Sequence, residues 1–139
     1  VVSTAKRTLE MQLLLGPDET VPVAGRFSYR GDRPYEVEVA FLSRGETVAT
    51  WLFARELLLR GLSGTVGEGD VRVWPAGGRG ARRRVHIELS TDDSVCELAV
   101  RATELAAWLD QTAAIVPPGH EDRYLDMDAH LARLLAGKC

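Results

Sequence analysis

Cysteine is scarce: Cys96 and Cys139 are the 2 in 139 residues. Two cysteines make no disulfide framework, and bridging them would need the polar chain end to fold back. Both read as reduced thiols of a cytoplasmic protein. Histidine is nearly as rare, with 3 in all: His86, His120 and His130. No Ser or Cys lies in an elbow-like motif, so nucleophilic catalysis has no nucleophile with a base in reach. His86 falls on the polar side of an alternating segment and reads as a surface residue. Long hydrophobic runs are missing too. Nothing is apolar for long enough to cross a bilayer, and the start, Val1-Val-Ser-Thr-Ala-Lys-Arg, does not resemble a signal peptide. Nor is there an excess of positive charge. Lys and Arg number 17 against 20 Asp and Glu, for a net charge of −3. A dedicated nucleic-acid binder is ordinarily basic, so this balance weighs against one. What remains is 45% hydrophobic and 27% charged, the composition of a single globular domain able to bury a core.

Glycine is plentiful, and two glycine-rich stretches invite a ligand reading. Gly61-Leu-Ser-Gly-Thr-Val-Gly-Glu-Gly has no Lys-Ser/Thr after it and opens no long helix, so it is neither a P-loop nor a dinucleotide fingerprint. Turn geometry accounts for it. The second, Ala76-Gly-Gly-Arg-Gly-Ala-Arg-Arg-Arg, reads as a basic hairpin loop. Arg79, Arg82, Arg83 and Arg84 there are the candidate partner-binding residues, suited to phosphates or an acidic protein surface. A solvated hairpin tip is the bland alternative. The one metal candidate is His120-Glu121-Asp122 with Asp126, Asp128 and His130. It straddles a loop and a helix start, where acids serve more simply as caps. No metal, cofactor, small-molecule substrate or catalytic residue is expected.

The chain is organised around Glu46 to Pro75. Thr47 to Phe53 is β-branched and aromatic and suits a strand. From Ala54 good helix formers follow, with Leu57, Leu58 and Leu62 near one side and Gly61 as the left-handed stop. Gly64, Gly67 and Gly69 allow a reversal. Asp70 to Trp74 is a further strand that Pro75 limits. Trp51 and Trp74 both lie in this block, and both are expected in the core. Alternation places other strands at Leu9 to Leu15, Val23 to Arg30, Tyr35 to Phe41, Val85 to Leu89 and Val95 to Val100. Beyond Ala102 the period becomes helical. Leu105, Ala106, Leu109 and Ala113 mark one face with Trp108 beside it, and Pro117-Pro118-Gly119 ends the helix. A last helix is expected from Asp126, with Met127, Leu131, Leu134 and Leu135 as its buried stripe. The expected fold is α+β, antiparallel, in the order ββββα-βββαα. One domain spans 1–139, with short flexible tails at 1–7 and 137–139.

Trp51-Leu-Phe-Ala-Arg-Glu-Leu-Leu, followed by Gly69-Asp-Val-Arg-Val-Trp-Pro, resembles the signature of the SsgA-like sporulation and cell division proteins. Val21-Pro-Val-Ala, Tyr35-Glu-Val, and Val116-Pro-Pro-Gly with its acidic and aromatic sequel fit the same pattern. The resemblance runs from about Leu9 to Leu135 and is nearest to the SsgB-like branch. It implies a Whirly-like fold and a homotrimer. It also implies a non-enzymatic adaptor that recruits or guides the tubulin-like division protein FtsZ to septum sites. Other SsgA-like proteins would be further partners, and the location would be cytoplasmic, at the division septum. A single-stranded nucleic-acid-binding protein of Whirly-like fold is the alternative function.

Overall fold

The computed structural model of the chain describes residues 2–125 together with Leu131, Leu135 and Ala136. Eight strands form one antiparallel sheet: β1 (Thr4–Gly16), β2 (Glu19–Arg30), β3 (Glu36–Ser43), β4 (Glu46–Ala54), β5 (Val66–Glu68), β6 (Val71–Ala76), β7 (Arg84–Ser90) and β8 (Val95–Arg101). Helix α1 (Arg55–Gly61) follows β4 and helix α2 (Ala102–Ile115) follows β8. The sheet order is β4-β3-β2-β1-β8-β7-β6-β5. Two meanders, each ending in a helix, are therefore joined back to back at β1 and β8. Their seam pairs Met11 with Val100 and Leu14 with Glu97.

Tight turns explain the meanders. Arg44 and Gly45, at φ 53° and 81°, join β3 to β4. Two left-handed residues in succession form the turn whose twist matches a hairpin. Within the strands, alternate residues bury one face. Phe27, Val37, Val39, Phe53, Val73, Ile87 and Val100 join Leu58, Leu105 and Trp108 in a single core. Both helices feed that core, and Trp108 meets Phe27 edge to face, with ring centroids 5.3 Å apart.

Several expectations are corrected here. The fully buried tryptophan is Trp108; Trp51 is half-buried and packs against the margin of the core, and Trp74 is half-buried outside it. Trp51 stacks on Phe53 in the edge strand β4, where no further strand can cover it. On α2 the buried face is Ala102, Leu105, Trp108, Leu109 and Thr112; Ala106 and Ala113 lie at its margins. Gly61 does not end α1 through a left-handed backbone, since it is absent from the positive-φ residues and the cap is Leu62 in right-handed geometry. It is glycine because α1 rests on β6: a Cβ there would lie 2.2 Å from Val73 Cγ1.

The reversal after α1 contains an additional strand, β5, so the second half of the described residues reads ββββα, with four strands before α2 where three were expected. β6 runs through Pro75 to Ala76. Proline is tolerated because β5 pairs only with Val71 to Val73 and leaves that side of Pro75 without a neighbour. β1 starts at Thr4, inside the segment expected as a tail, and pairs with Arg30. Of the helix expected from Asp126, Leu131, Leu135 and Ala136 are described and are α-helical, while Met127, Leu134 and the tail at 137–139 lie outside the described residues. Leu131 and Leu135, expected in its buried stripe, are exposed at 48% and 62%.

Candidate partner-binding surfaces and a buried clasp

The arginine loop joins β6 to β7, and it is built more tightly than a free tip. Gly77, Gly78 and Gly80 have φ of 83°, 89° and 63°, and Gly80–Arg82 forms one 3-10 turn. Its four arginines divide. Arg79 and Arg82 are exposed. Arg83 is half-buried: it donates from Nη2 to Leu62 O at 3.2 Å and from Nη1 to Gly78 O at 3.3 Å. Its own carbonyl accepts from the Ala102 amide at 3.1 Å, so it ties the end of α1 to the start of α2. Arg84 donates to Ala81 O at 2.9 Å. Only Arg79 and Arg82 of the set are thus left facing outward for a partner.

The strongest charged arrangement lies inside the fold, where the sequence reading placed only a helix-forming residue. Arg55 opens α1 and is fully buried. A cation at a helix N-terminus opposes the helix dipole. Its guanidinium instead reaches the far end of α2, donating to Val116 O at 2.7 Å and Thr112 O at 3.3 Å. α2 has no basic residue in its own last turn. Arg55 therefore supplies the cation that this terminus favours, donating to Val116 O and sharing Thr112 O with the Val116 amide.

Nη2 of Arg55 also meets Glu121 Oε2 at 2.9 Å, and Glu121 Oε1 accepts from the Gly119 amide at 2.8 Å. The guanidinium lies 4.9 Å from the centre of the Tyr29 ring. Tyr29 donates to Pro34 O at 2.9 Å. Burial pushes the Tyr29 hydroxyl up to about 12, with Arg55 opposing and Glu121 adding. Burial likewise pushes the Glu121 carboxyl up, but the Arg55 bond and the amides of Glu121 and Gly119 together outweigh it. The carboxyl titrates below its ordinary range. Beside this clasp, Tyr35 donates to Asp122, so the segment after α2 is held at two points. Glu121, expected as a cap or metal ligand, is an ion-pair partner. Among the described residues no cluster of His, Cys, Asp and Glu could hold a metal ion.

The face of the sheet away from the helices carries the other half-buried tryptophan. Trp74 stacks on His86 at 5.5 Å between ring centres, and the Arg72 guanidinium lies 5.2 Å from its ring. His86 Nδ1 shares a hydrogen bond with Glu97 Oε2 at 2.9 Å, and Arg72 pairs with Glu88 at 3.4 Å. His86, expected as a plain surface residue, is half-buried in this ladder of cross-strand neighbours. Trp74 is already in contact with two partners, and the basic residues around it are matched by glutamates. That is a poor platform for stacked bases. Cys96 is half-buried and free, and burial pushes its thiol up, which keeps it protonated and unreactive. No helix among the described residues is long and apolar enough to cross a membrane.

Comparison with known proteins agrees with this architecture. Residues 23–121 match the family model described as "Streptomyces sporulation and cell division protein, SsgA". The sporulation-specific cell division protein SsgB of Streptomyces coelicolor is 37% identical over 96% of this chain and 97% of its own length. SsgB of Thermobifida fusca is 36% identical over 91% of each chain. A crystal structure of an SsgA-like sporulation-specific cell division protein from Thermobifida fusca superposes with a TM-score of 0.84 at 34% identity, covering 94% of this chain and 95% of that one. A structure from work relating SsgB mutations to longitudinal cell division during sporulation of Streptomyces coelicolor superposes with a TM-score of 0.83 at 36% identity, covering 89% and 97%. The paired meanders, the Trp51 to Leu58 signature with its buried Arg55, and these alignments together place the chain in the SsgA family of sporulation and cell division proteins.

Proposed function

We propose that this chain is a non-enzymatic adaptor of sporulation-specific cell division, a homotrimer of Whirly-like subunits that recruits or guides FtsZ to septum sites. The observation that carries this reading is family membership along nearly the whole chain, among relatives named for sporulation-specific division. Other SsgA-like proteins are further partners, and the site of action is the cytoplasmic face of the septum.

The physical mechanism is multivalency. A trimer presents three copies of a weak site to a polymer that itself repeats, so avidity exceeds single-site affinity. The outward residues of the loop, Arg79 and Arg82, are the contacts we assign to an acidic partner surface. Charges of this kind mainly speed encounter and make it salt-sensitive. Co-sedimentation with assembled FtsZ tests the reading. The parent chain should pellet with polymer, and Arg79→Ser/Arg82→Ser should pellet less, most visibly at low salt. No co-sedimentation at any salt concentration, together with a salt-dependent shift of single-stranded DNA in a gel, would replace the adaptor by the nucleic-acid binder.

A further inference from the structure

The arginine loop is one part of a wider basic pole. Two further arginines beside it are exposed: Arg60 in the last turn of α1, and Arg101 at the end of β8. Arg83 gathers them around the loop. Its side chain holds Leu62 O, two residues past Arg60, and its carbonyl holds the amide of Ala102, next to Arg101. Arg101 is also the cross-strand partner of Arg84. Arg60, Arg79, Arg82 and Arg101 thus surround one fixed point. None of the four is in an ion pair among the described residues. The acids nearest to Arg60 and Arg101 along the helices, Glu56 and Glu104, are not paired with them either.

The opposite end of the sheet has the reverse balance. Antiparallel order brings the β1–β2, β3–β4, β5–β6 and β7–β8 turns there. Those turns carry Asp18, Asp70, Asp92 and Asp93 against Arg44. A negative partner therefore has one end to bind and is repelled from the other. The pole is also not flat. α1 lies on the core side of the sheet, where Leu57 and Leu58 are buried. Val100 faces that core too, so Arg101 beside it points by alternation to the other face. Arg79 and Arg82 lie between the two, on the loop. A bilayer or a folded acidic face meets one side of such an edge, whereas a flexible chain can wrap it. A single nucleic-acid strand can wrap as well, but it binds by stacking its bases on aromatic rings. Ala76 to Arg84 contains no aromatic residue, and Trp74 is already stacked on His86. Guanidinium forks pair with carboxylates two hydrogen bonds at a time.

We infer that Arg60, Arg79, Arg82 and Arg101 form one site for a flexible acidic peptide segment, which crosses the sheet end from the helix side to the other face. The inference rests on the adaptor reading above and names the kind of partner segment that its loop takes. Fluorescence anisotropy of a labelled poly-glutamate peptide on the full chain tests it, with circular dichroism to confirm folding. The parent should bind, and more tightly at low salt than at high. Arg60→Ser/Arg101→Ser leaves the loop intact, yet it should weaken low-salt binding about tenfold, as should Arg79→Ser/Arg82→Ser. Unlabelled poly-glutamate should displace the label better than oligothymidylate or phosphatidylglycerol vesicles at equal accessible charge. Parent-like binding by Arg60→Ser/Arg101→Ser overturns the joint site. Stronger displacement by the DNA or by the vesicles overturns the peptide as its occupant. A parent that does not bind poly-glutamate overturns both. Poly-glutamate binding without co-sedimentation on FtsZ removes the adaptor reading and leaves the pole standing.

Discussion

Three tryptophans of equal bulk do unequal work. Trp108 sits on the buried face of α2, meets Phe27 of the sheet edge to face, and is fully buried. Trp51 and Trp74 lie on an edge strand and on the uncovered sheet face. Replacing Trp108 by alanine should cost about 3–5 kcal/mol in denaturant unfolding, and replacing either of the others distinctly less. Equal costs across the three would contradict this assignment. Position relative to the helices decides the matter, and local sequence does not carry that information, since all three have apolar neighbours. The clasp makes a second residue-scale prediction. The Glu121 carboxyl is held below its ordinary value in the folded chain, so its contribution is present above the unfolded carboxylate pKa and fades as pH falls through the folded value. Thermal melting of the parent should weaken on acidification across that window. Glu121→Gln should melt lower near neutrality and show a flatter acid limb, and parallel pH profiles for the two would rule out the linkage. Nothing local announced this pair: Arg55 and Glu121 are 66 residues apart. The single local sign was a cation at the wrong end of a helix.

At the scale of elements, alternation made most strands legible, because one face packs on helices and the other does not. β5 escaped notice since Val66–Glu68 is 3 residues long and includes Gly67; it exists because β6 offers it an edge. The arginine loop was legible as a loop, but its division of labour was not, because the carbonyls that Arg83 satisfies belong to Leu62 and Gly78. This division has a measurable consequence. Arg79→Ser/Arg82→Ser should melt with the parent, whereas Arg83→Ser should lower the melting temperature by freeing the end of α1 from the start of α2. If Arg83→Ser melts with the parent, its bonds to Leu62 and Gly78 are replaced by water at no cost. If the exposed pair lowers the melt instead, the loop is held together by its outward residues.

From Thr4 to Ile115 the molecule is two ββββα halves whose strands pair with their sequence neighbours everywhere except at the seam of β1 with β8. That exception sets a clock. Hairpins can close as soon as their second strand is made, but Leu14 must wait for Glu97. At roughly 5–20 residues per second, the delay is on the order of ten seconds during synthesis. Over that interval the first half has its own meander and α1, yet neither α2 nor the strand that belongs beside β1. The nascent chain therefore passes through a stage with an open β edge at Met11 to Leu14 and no Trp108 to fill the hollow beneath Phe27. The back-to-back joint that unites the halves waits for β8, and the clasp of Arg55 on Glu121 that locks them waits longer still.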